Sequence, residues 1–275
     1  MLLVFTDLDG TLLDHYSYAW EPACEALTAL KQRQHPVVLV SSKTLAEINE
    51  YRRELDLPHP VVAENGAVID VPSGYFDVWV DDTKAAHARP ELQRLYLDAK
   101  ARHGYGCEAF FEMGVSGIAR ETGLEPMRAA QANDRLASEP ILWRDSEHRK
   151  QQFARGMREH GLRCVMGGRF LHLMPDTDKG RAVRKLMSAY STKFSGERIT
   201  SVSLGDGPND LDMLNSTDIA VIIPGHHNQP MDLDGTNRVV KAGESGPVGW
   251  NEAVLGLIEA THQHAEKNKR RIDLG

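Results

Sequence analysis

Two aspartates separated by one residue follow the first apolar run of the chain. Leu2–Thr6 forms that run, Asp7 and Asp9 come directly after it, and Gly10 and Thr11 follow at once. One such carboxylate can attack a substrate or bind a metal ion while the other moves protons, and a glycine lets the backbone close around an anion. Because a lone pair of this kind is more often a turn or a helix cap, the chemical interpretation depends on further residues.

A second acidic segment lies near the other end of the chain. Residues 205–210 read Gly-Asp-Gly-Pro-Asn-Asp and lie between a predicted strand and a predicted helix. Asp7 and Asp206 could together hold one hard cation, since Mg²⁺ takes oxygen ligands and is usually bound through one or two carboxylates and a substrate phosphate. On its own the segment reads equally well as a tight turn that leads into a helix cap.

Two more positions suit a phosphate group. Lys179, at the start of a predicted helix, supplies a positive charge, and Ser41 or Ser42, at the end of the second predicted strand, supplies a hydroxyl donor. Neither a lysine nor a serine is informative alone. The combination is informative because every one of these residues falls at the end of a predicted strand or the start of an adjoining helix.

The order of the predicted elements places these residues at one edge of a sheet. Residues 1–71 alternate strands, at Leu2–Thr6, Val37–Val40 and Val61-Val62, with amphipathic helices. This β-α-β-α-β order predicts an α/β fold with a doubly wound, Rossmann-like parallel sheet, whose sites lie beyond the C-terminal ends of the strands.

The pattern changes after about residue 72. Pro72-Ser73-Gly74 predicts a turn that joins strands at 67–71 and 76–80 in a hairpin. Helices near 91–102, 126–137 and 147–160, a strand at 141–143 and two strand-like runs on either side of Gly167-Gly168 follow, before the α/β pattern resumes at residue 178. We therefore predict a core of residues 1–81 and 177–275 with an inserted α+β domain over 82–176.

Composition narrows the class of protein. The 275 residues carry a formal net charge of −7, which argues against a general nucleic-acid binder. Three widely spaced cysteines form neither a disulfide framework nor a zinc motif, and no apolar run approaches the roughly 20 residues that span a bilayer. We expect a soluble, cytoplasmic protein that binds neither nucleic acid nor membrane, as a monomer or a small homo-oligomer.

The chain resembles the haloacid dehalogenase superfamily, whose four motifs occur here in order as Asp7-Leu8-Asp9-Gly10-Thr11, Ser41, Lys179 and Gly205–Asp210. The insertion resembles the type-2 cap of the sugar-phosphatase branch of that superfamily. Residues 41–44, 63–67, 141–145 and 168–172 are similar to segments of the mannosyl-3-phosphoglycerate phosphatases and their close relatives.

The resemblance implies a role for each acidic residue. Asp7 would attack phosphorus and become an aspartyl-phosphate, and Asp9 would protonate the leaving oxygen and then activate water. Mg²⁺ would be held by Asp7, the backbone carbonyl of Asp9 and Asp206. Asp210 would orient Lys179 or a metal-bound water, which completes the predicted metal site of four aspartates.

The resemblance also implies residues that bind the substrate. Ser41, preferred to Ser42 because it follows the apolar run directly, would bind phosphoryl oxygens with Lys179, and Asn209 would support them. The core residues Lys43 and Asn65 could contact a sugar.

In the cap, Arg144 and Arg169 are candidates to bind a glycerate carboxylate, since a guanidinium can bind it in a bidentate manner. His172 is a further candidate, although strand alternation would place it on the face opposite Arg169. A surface salt bridge or a packing role is an even alternative for each of the three residues.

These inferences predict a Mg²⁺-dependent phosphatase. Its substrate would be mannosyl-3-phosphoglycerate or glucosyl-3-phosphoglycerate, and the products the glycosylglycerate, an osmolyte, and phosphate. The alternatives are another sugar-phosphate phosphatase, a phosphomutase of the same superfamily, or a binding module that keeps the fold without turnover. Asp7, Asp9, Lys179 and Asp206 together argue against the last alternative.

Overall fold

The computed structural model describes residues 1–79, 88–167, 169–225, 231, 233 and 238–272, with the side chains of residues 264–272 excepted. By compactness the chain divides into two units. The first consists of residues 1–39 and 190–275, and the second of residues 40–189.

The first unit is built on a parallel sheet. Its strands are β1 (Leu2–Thr6), β2 (Val37–Val40, of which residues 37–39 belong to this unit), β9 (Thr200–Gly205), β10 (Ile219–Ile222) and β11 (Arg238–Lys241). They lie in the order β11-β10-β9-β1-β2, with Thr6 paired to Leu204 in β9 and to Leu39 in β2. The chain winds from β1 to β2 in one direction and from β9 to β11 in the other. The topological switch point, where open α/β sheets bind ligands, therefore lies between β1 and β9.

Helices of the first unit pack onto this sheet. They are α1 (Cys24–Gln32), α8 (Leu211–Leu214) and α9 (Gly246–Ile272). Helix α1 buries Ala26, Leu27 and Leu30, which recur at helical spacing, and it packs against α9. The backbone N–H of Ala26 donates to Asn251 Oδ1 at 2.9 Å. This bond fixes the two helices to each other close to Trp250, which is fully buried.

The second unit begins with a short antiparallel pair of strands. Its elements are α2 (Leu45–Glu54), β3 (Val61–Ala63), β4 (Val68–Asp70), α3 (Arg89–His103), β5 (Cys107–Ala109), α4 (Phe110–Thr122), α5 (Pro126–Asn133), β6 (Glu139–Trp143), α6 (Glu147–Arg158), β7 (Leu162–Gly167), β8 (Phe170–Pro175) and most of α7 (Lys179–Lys193). Strand β4 pairs with β3, Val62 opposite Ile69. The predicted pairing of 67–71 with 76–80 is wrong, because the turn at 64–66 has already turned the chain back; residue 80 lies outside the described residues.

An antiparallel sheet of four strands, in the order β5-β6-β8-β7, forms the centre of the remaining part of the second unit. One cluster of buried residues joins this sheet to α3 and α6, and a second joins it to α4 and α5. The sequence pattern predicts neither β5 nor α4. Helix α4 contains Gly114 at φ 59°, where the backbone departs from helical geometry.

The mixed architecture, with a doubly wound parallel sheet and an α+β part, confirms the predicted fold class. The predicted domain boundaries at residues 82 and 176 stay a prediction. In the described part of the chain, no helix has both the length and the apolar character that a membrane span requires.

Candidate active site

Asp7 lies at the C-terminal edge of the parallel sheet. Its backbone N–H donates to Leu204 O at 3.0 Å, which continues the pairing of β1 with β9 by one residue. The side chain is only 6% exposed. The first predicted catalytic residue therefore lies at the switch point of the sheet.

A tight turn after Asp7 places Asp9. The Leu8 carbonyl accepts from the N–H groups of Thr11 and Leu13, at 3.1 and 2.8 Å, and the Gly10 N–H donates to Leu13 O at 2.9 Å. Asp9 is half-buried within this turn. Gly10 adopts φ +78°, and a Cβ at this position would lie 2.6 Å from Asp206 Oδ2. Only glycine lets the turn approach Asp206 so closely.

Asp206 and Asp210 follow β9 and are held by the loop around them. Asp206 Oδ1 accepts from the Thr11 hydroxyl at 3.1 Å. Asp210 is fully buried, and its Oδ2 accepts from the backbone N–H groups of Asp206 and Gly207 at 3.1 and 3.0 Å. Asp210 thus organises the loop, whereas Asn209 beside it is exposed.

Three carboxylates converge at this edge. Ligand atoms of Asp7, Asp206 and Asp210 all lie within 4.8 Å of one another. The donors are all oxygen and two of the three residues are buried, so the set fits a hard divalent cation such as Mg²⁺. Asp210 also accepts two backbone hydrogen bonds and therefore orders the loop that carries Asp206. The side chain of Asp9 is not part of this group of described residues, and its role as a metal ligand through the backbone carbonyl stays a prediction.

In the second unit, Ser41 lies directly after β2. Its backbone N–H donates to Val62 O at 2.9 Å, and its Oγ accepts from the Lys43 N–H at 3.2 Å. This bond uses one lone pair of the buried hydroxyl oxygen, so the hydroxyl group can still donate its hydrogen to an anionic acceptor. Ser42 is less buried.

Asn65 lies between Ser41 and the start of α7. Its N–H donates to Ser41 O at 3.0 Å. Glu64, Asn65 and Gly66 have φ of 52°, 57° and 98°, three left-handed residues in succession. A Cβ on Gly66 would lie 2.3 Å from Asp178 O and 3.0 Å from Lys179 N, so this turn touches the N-terminus of the helix. The structure therefore brings the backbones of Ser41, Asn65 and Lys179 together.

Lys179 and Asn65 both carry buried polar groups. The Lys179 side chain is 1% exposed, and a buried ammonium needs anionic or hydrogen-bonding neighbours. Asn65 Oδ1 is buried with no hydrogen-bond partner in the described part of the chain. Orphaned polar atoms of this kind are rare and suit a site that takes a polar ligand.

Glu64 and Arg135 hold this region in place, although sequence reasoning assigns them no role. The buried Glu64 carboxylate accepts from Leu136 N at 2.7 Å, Ala137 N at 3.1 Å and Ser138 Oγ at 2.6 Å. Arg135 donates to the same Ser138 hydroxyl at 2.9 Å. The only local signal is an acidic residue immediately before Asn-Gly at the end of an apolar strand.

The two candidate arginines of the cap share one neighbour. Arg144 forms an ion pair with the Glu121 carboxylate at 3.1 Å, and Arg169 donates to the Glu121 backbone carbonyl. Both bonds are exposed to solvent. The surface salt bridge considered for Arg144 is thus present.

His172 lies within β8, whereas Arg169 comes directly before the first residue of that strand. The ring is 7% exposed, and Nδ1 has no hydrogen-bond partner among the described residues. Burial, with a smaller contribution from the positive charge of Arg135, lowers the pKa of His172 to about 3. The ring is therefore neutral at physiological pH. Gly167 gives it room, since a Cβ there would lie 2.9 Å from His172 Nε2.

Comparison with known proteins identifies the family. The family model of the haloacid dehalogenase-like hydrolases matches residues 4–77. A glucosyl-3-phosphoglycerate/mannosyl-3-phosphoglycerate phosphatase from Methanococcoides burtonii is 32% identical over 268 residues, which cover 93% of this chain and 97% of that protein. The chain belongs to the haloacid dehalogenase-like hydrolases. It is a phosphatase, a hydrolase of phosphoric monoesters.

Solved structures share the fold at lower identity. The sucrose-phosphatase from Synechocystis is 18% identical with a TM-score of 0.63, covering 93% of this chain and 97% of that one. The subclass IIB sugar phosphatase BT4131 is 15% identical with a TM-score of 0.63, covering 94% and 99%. These likenesses support the predicted core-and-cap architecture and carry no information about the substrate of this hydrolase.

Proposed function

We propose that this hydrolase removes phosphate from mannosyl-3-phosphoglycerate or glucosyl-3-phosphoglycerate, with Mg²⁺ as cofactor. The observation that carries the chemistry is the convergence of Asp7, Asp206 and Asp210 at the switch point between β1 and β9. The substrate class is supported by the relative that is 32% identical over 93% of the chain. The products would be the glycosylglycerate and inorganic phosphate.

The proposed reaction has two steps that leave the enzyme unchanged. An Asp7 oxygen attacks phosphorus, the bond from phosphorus to the glycerate oxygen breaks, and protonated Asp9 gives its proton to that oxygen. Asp9 then takes a proton from water, whose oxygen attacks phosphorus and breaks the bond to Asp7. Phosphate leaves, and Asp7 is again a carboxylate.

The phosphate and metal groups would be arranged as follows. Bound Mg²⁺ supplies positive charge that lets the Asp7 carboxylate approach an anionic phosphate. Asp7, Asp206 and the Asp9 carbonyl would hold it, with Asp210 as the residue that orients the loop. The transferring phosphoryl oxygens would be bound by Ser41, Lys179 and Asn209.

Recognition of the glycerate would use Arg144 and Arg169. Both guanidinium groups already bind oxygen atoms of Glu121, one of them a carboxylate oxygen. A glycerate carboxylate would take the place of the Glu121 carboxylate at Arg144 and would offer Arg169 a charged acceptor. At Arg144, binding would therefore exchange one carboxylate partner for another.

Recognition of the sugar would use neutral polar groups. Asn65 and His172 each have a buried atom without a hydrogen-bond partner in the described part of the chain. Because the His172 ring is neutral, one nitrogen can accept while the other donates, which suits a sugar hydroxyl. Lys43, which is half-buried and lies two residues after Ser41, would be the third residue that contacts the sugar.

We further propose the cellular setting that this reaction implies. A glycosylglycerate is an uncharged sugar joined to one carboxylate, a compatible solute, so the enzyme would serve osmotic adjustment in the cytoplasm. The protein would act as a monomer or a small homo-oligomer, with residues 82–176 as its specificity cap and residues 1–81 and 177–275 as its catalytic core.

A phosphate-release screen tests the substrate. Mannosyl-3-phosphoglycerate, glucosyl-3-phosphoglycerate, hexose 6-phosphates and p-nitrophenyl phosphate are each incubated with the enzyme and MgCl2. We expect the two glycosyl-phosphoglycerates to have the highest kcat/KM. A higher value for a hexose phosphate would identify another sugar phosphatase, and isomerised sugar phosphate without steady phosphate release would identify a phosphomutase.

Two further measurements test the mechanism. Asp7→Asn is expected to abolish turnover while the thermal midpoint stays that of a folded protein, and multiple turnovers in this variant would exclude Asp7 as the nucleophile. Removal of divalent ions with EDTA is expected to stop phosphate release, and MgCl2 to restore it. Full activity in EDTA would refute the metal assignment.

A further inference from the structure

The backbone carbonyl of Asp7 is bound by a side chain from its own strand. Thr6 Oγ1 donates to Asp7 O at 2.8 Å, and the Thr6 side chain is completely buried. The N–H of Asp7 remains in the sheet through its bond to Leu204. Both polar groups of the Asp7 backbone are therefore held where the strand ends.

The Thr6 hydroxyl is itself held by Trp250. The Trp250 Nε1–H donates to Thr6 Oγ1 at 2.9 Å, and both side chains are 0% exposed. An indole N–H can only donate, so the hydroxyl must accept this bond and point its own hydrogen at the Asp7 carbonyl. The β-branch of threonine also restricts χ1, which leaves the hydroxyl little freedom to turn away.

Trp250 is in turn fixed by tight packing at the start of α9. A Cβ on Gly249 would lie 1.8 Å from Glu244 O, so the backbone beside Trp250 is pressed against the preceding loop. The next residue, Asn251, accepts from Ala26 N at 2.9 Å and ties the helix to α1. Contacts of Gly249 and Asn251, the residues before and after Trp250, therefore hold the indole in place.

We propose that Thr6 and Trp250 are positioning residues that set the peptide plane between Asp7 and Leu8. That plane determines how the carboxylate of Asp7 leaves the strand and where the following turn carries Asp9. Neither residue touches the substrate. The inference rests on the proposed role of Asp7 as nucleophile, and on the principle that a displacement of about 1 Å in a reacting group can cost 10²-fold in rate.

The test compares two Thr→Val substitutions in the first unit. Thr6→Val keeps the side-chain shape and removes the relay, by which we mean the hydrogen bond from Trp250 to Thr6 and the one from Thr6 to Asp7 O. Thr217→Val is the matched control, because Thr217 Oγ1 also pairs with another side chain, Ser203 Oγ at 2.6 Å, and also donates to a backbone carbonyl, Ile219 O at 3.1 Å. Each variant is assayed for kcat and KM on p-nitrophenyl phosphate with MgCl2, and for its thermal midpoint.

We expect Thr6→Val to lower kcat by about 10- to 100-fold with little change in KM, and Thr217→Val to lose similar thermal stability with kcat unchanged. Thr6→Ser, which restores the hydroxyl, should recover most of kcat. Trp250→Phe removes the indole N–H together with part of the buried ring and should lower kcat in the same direction, which keeps a test available if Thr6→Val does not fold.

The proposal is overturned if Thr6→Val and Thr217→Val have the same kcat, or if Thr6→Ser loses as much as Thr6→Val. Asp7→Asn separates this result from a failure of the proposed mechanism. Turnover in Asp7→Asn would refute the nucleophile and the relay together. An inactive Asp7→Asn with a fully active Thr6→Val would refute the relay alone.

Discussion

Glu64 offers a sharp test of how the turn at 64–66 is held. The substitution Glu64→Ala removes a buried carboxylate that accepts three hydrogen bonds from residues 136–138. It leaves two backbone N–H groups and one hydroxyl without their acceptor. Since each buried donor left unsatisfied costs about 1–3 kcal/mol, the three donors together predict a loss of roughly 3–9 kcal/mol in the free energy of unfolding.

Glu64→Gln is the graded comparison. Oε2 accepts two of the three bonds, from Ala137 N and Ser138 Oγ, and Oε1 accepts the third, from Leu136 N. A glutamine can place its single oxygen at the Oε2 position, but its NH2 group then faces the Leu136 N–H. We expect about half of the loss seen for alanine, because two acceptor contacts survive without the charge.

Thermal and urea unfolding measure these differences. For a chain of this size, about 2–4 °C per kcal/mol predicts a fall in the thermal midpoint on the order of 10 °C for Glu64→Ala. Glu125→Ala, at an exposed glutamate that makes no capping bond, is the control and should change stability by about 0.5 kcal/mol or less. A thermal midpoint for Glu64→Ala equal to that of Glu125→Ala would show that the three hydrogen bonds to Glu64 do not stabilise the fold.

Three further outcomes are expected. Asp9→Asn should lower kcat by about 10²–10⁴-fold, the usual loss of a general acid–base group, and a wild-type rate in single-turnover kinetics would contradict its role. Arg169→Ala should reduce kcat/KM for glycosyl-phosphoglycerates more than for p-nitrophenyl phosphate, whereas an equal loss on both would remove Arg169 from substrate recognition. Because the pKa of His172 falls from 6.5 to about 3 on folding, the unfolded chain binds a proton between these values and wild-type stability declines as the pH falls through that window. His172→Gln should flatten this decline in denaturant titrations at several pH values, and an unchanged slope would argue against the buried neutral ring. The pKa of His35 is also lowered, to about 4, but His35 is present in the wild type and in the variant, so it contributes equally to both.

Local patterns predict the parallel sheet well. The run Leu2–Thr6 is entirely buried and forms β1, and Val37–Val40 forms β2 within the same bounds as predicted. A strand covered on both faces must be apolar throughout, so its sequence is distinctive. The two acidic segments after β1 and β9 meet because strand order alone determines which strand ends are neighbours.

Long-range contacts are not encoded in such patterns. Glu64 bonds to Ser138 across 74 positions, and nothing around either residue indicates the other. The hairpin prediction failed for a related reason, since the turn signal at 72–74 says nothing about which strand lies beside β4. Arg144 and Arg169 both bind Glu121, although they are separated from it by 23 and 48 positions in the sequence.

The acidic cluster of the first unit has a consequence for stability as well as for chemistry. Folding brings Asp7, Asp206 and Asp210 within 4.8 Å of one another, and like charges at that distance repel. A cation that binds only the folded chain stabilises it by RT ln(1 + [L]/Kd), about 2.7 kcal/mol at a hundredfold excess over Kd. The thermal midpoint should therefore rise with MgCl2 concentration, even in a variant such as Asp9→Asn that turns over slowly. Folding and metal loading are then one linked equilibrium, so a melting curve measures magnesium affinity without any substrate.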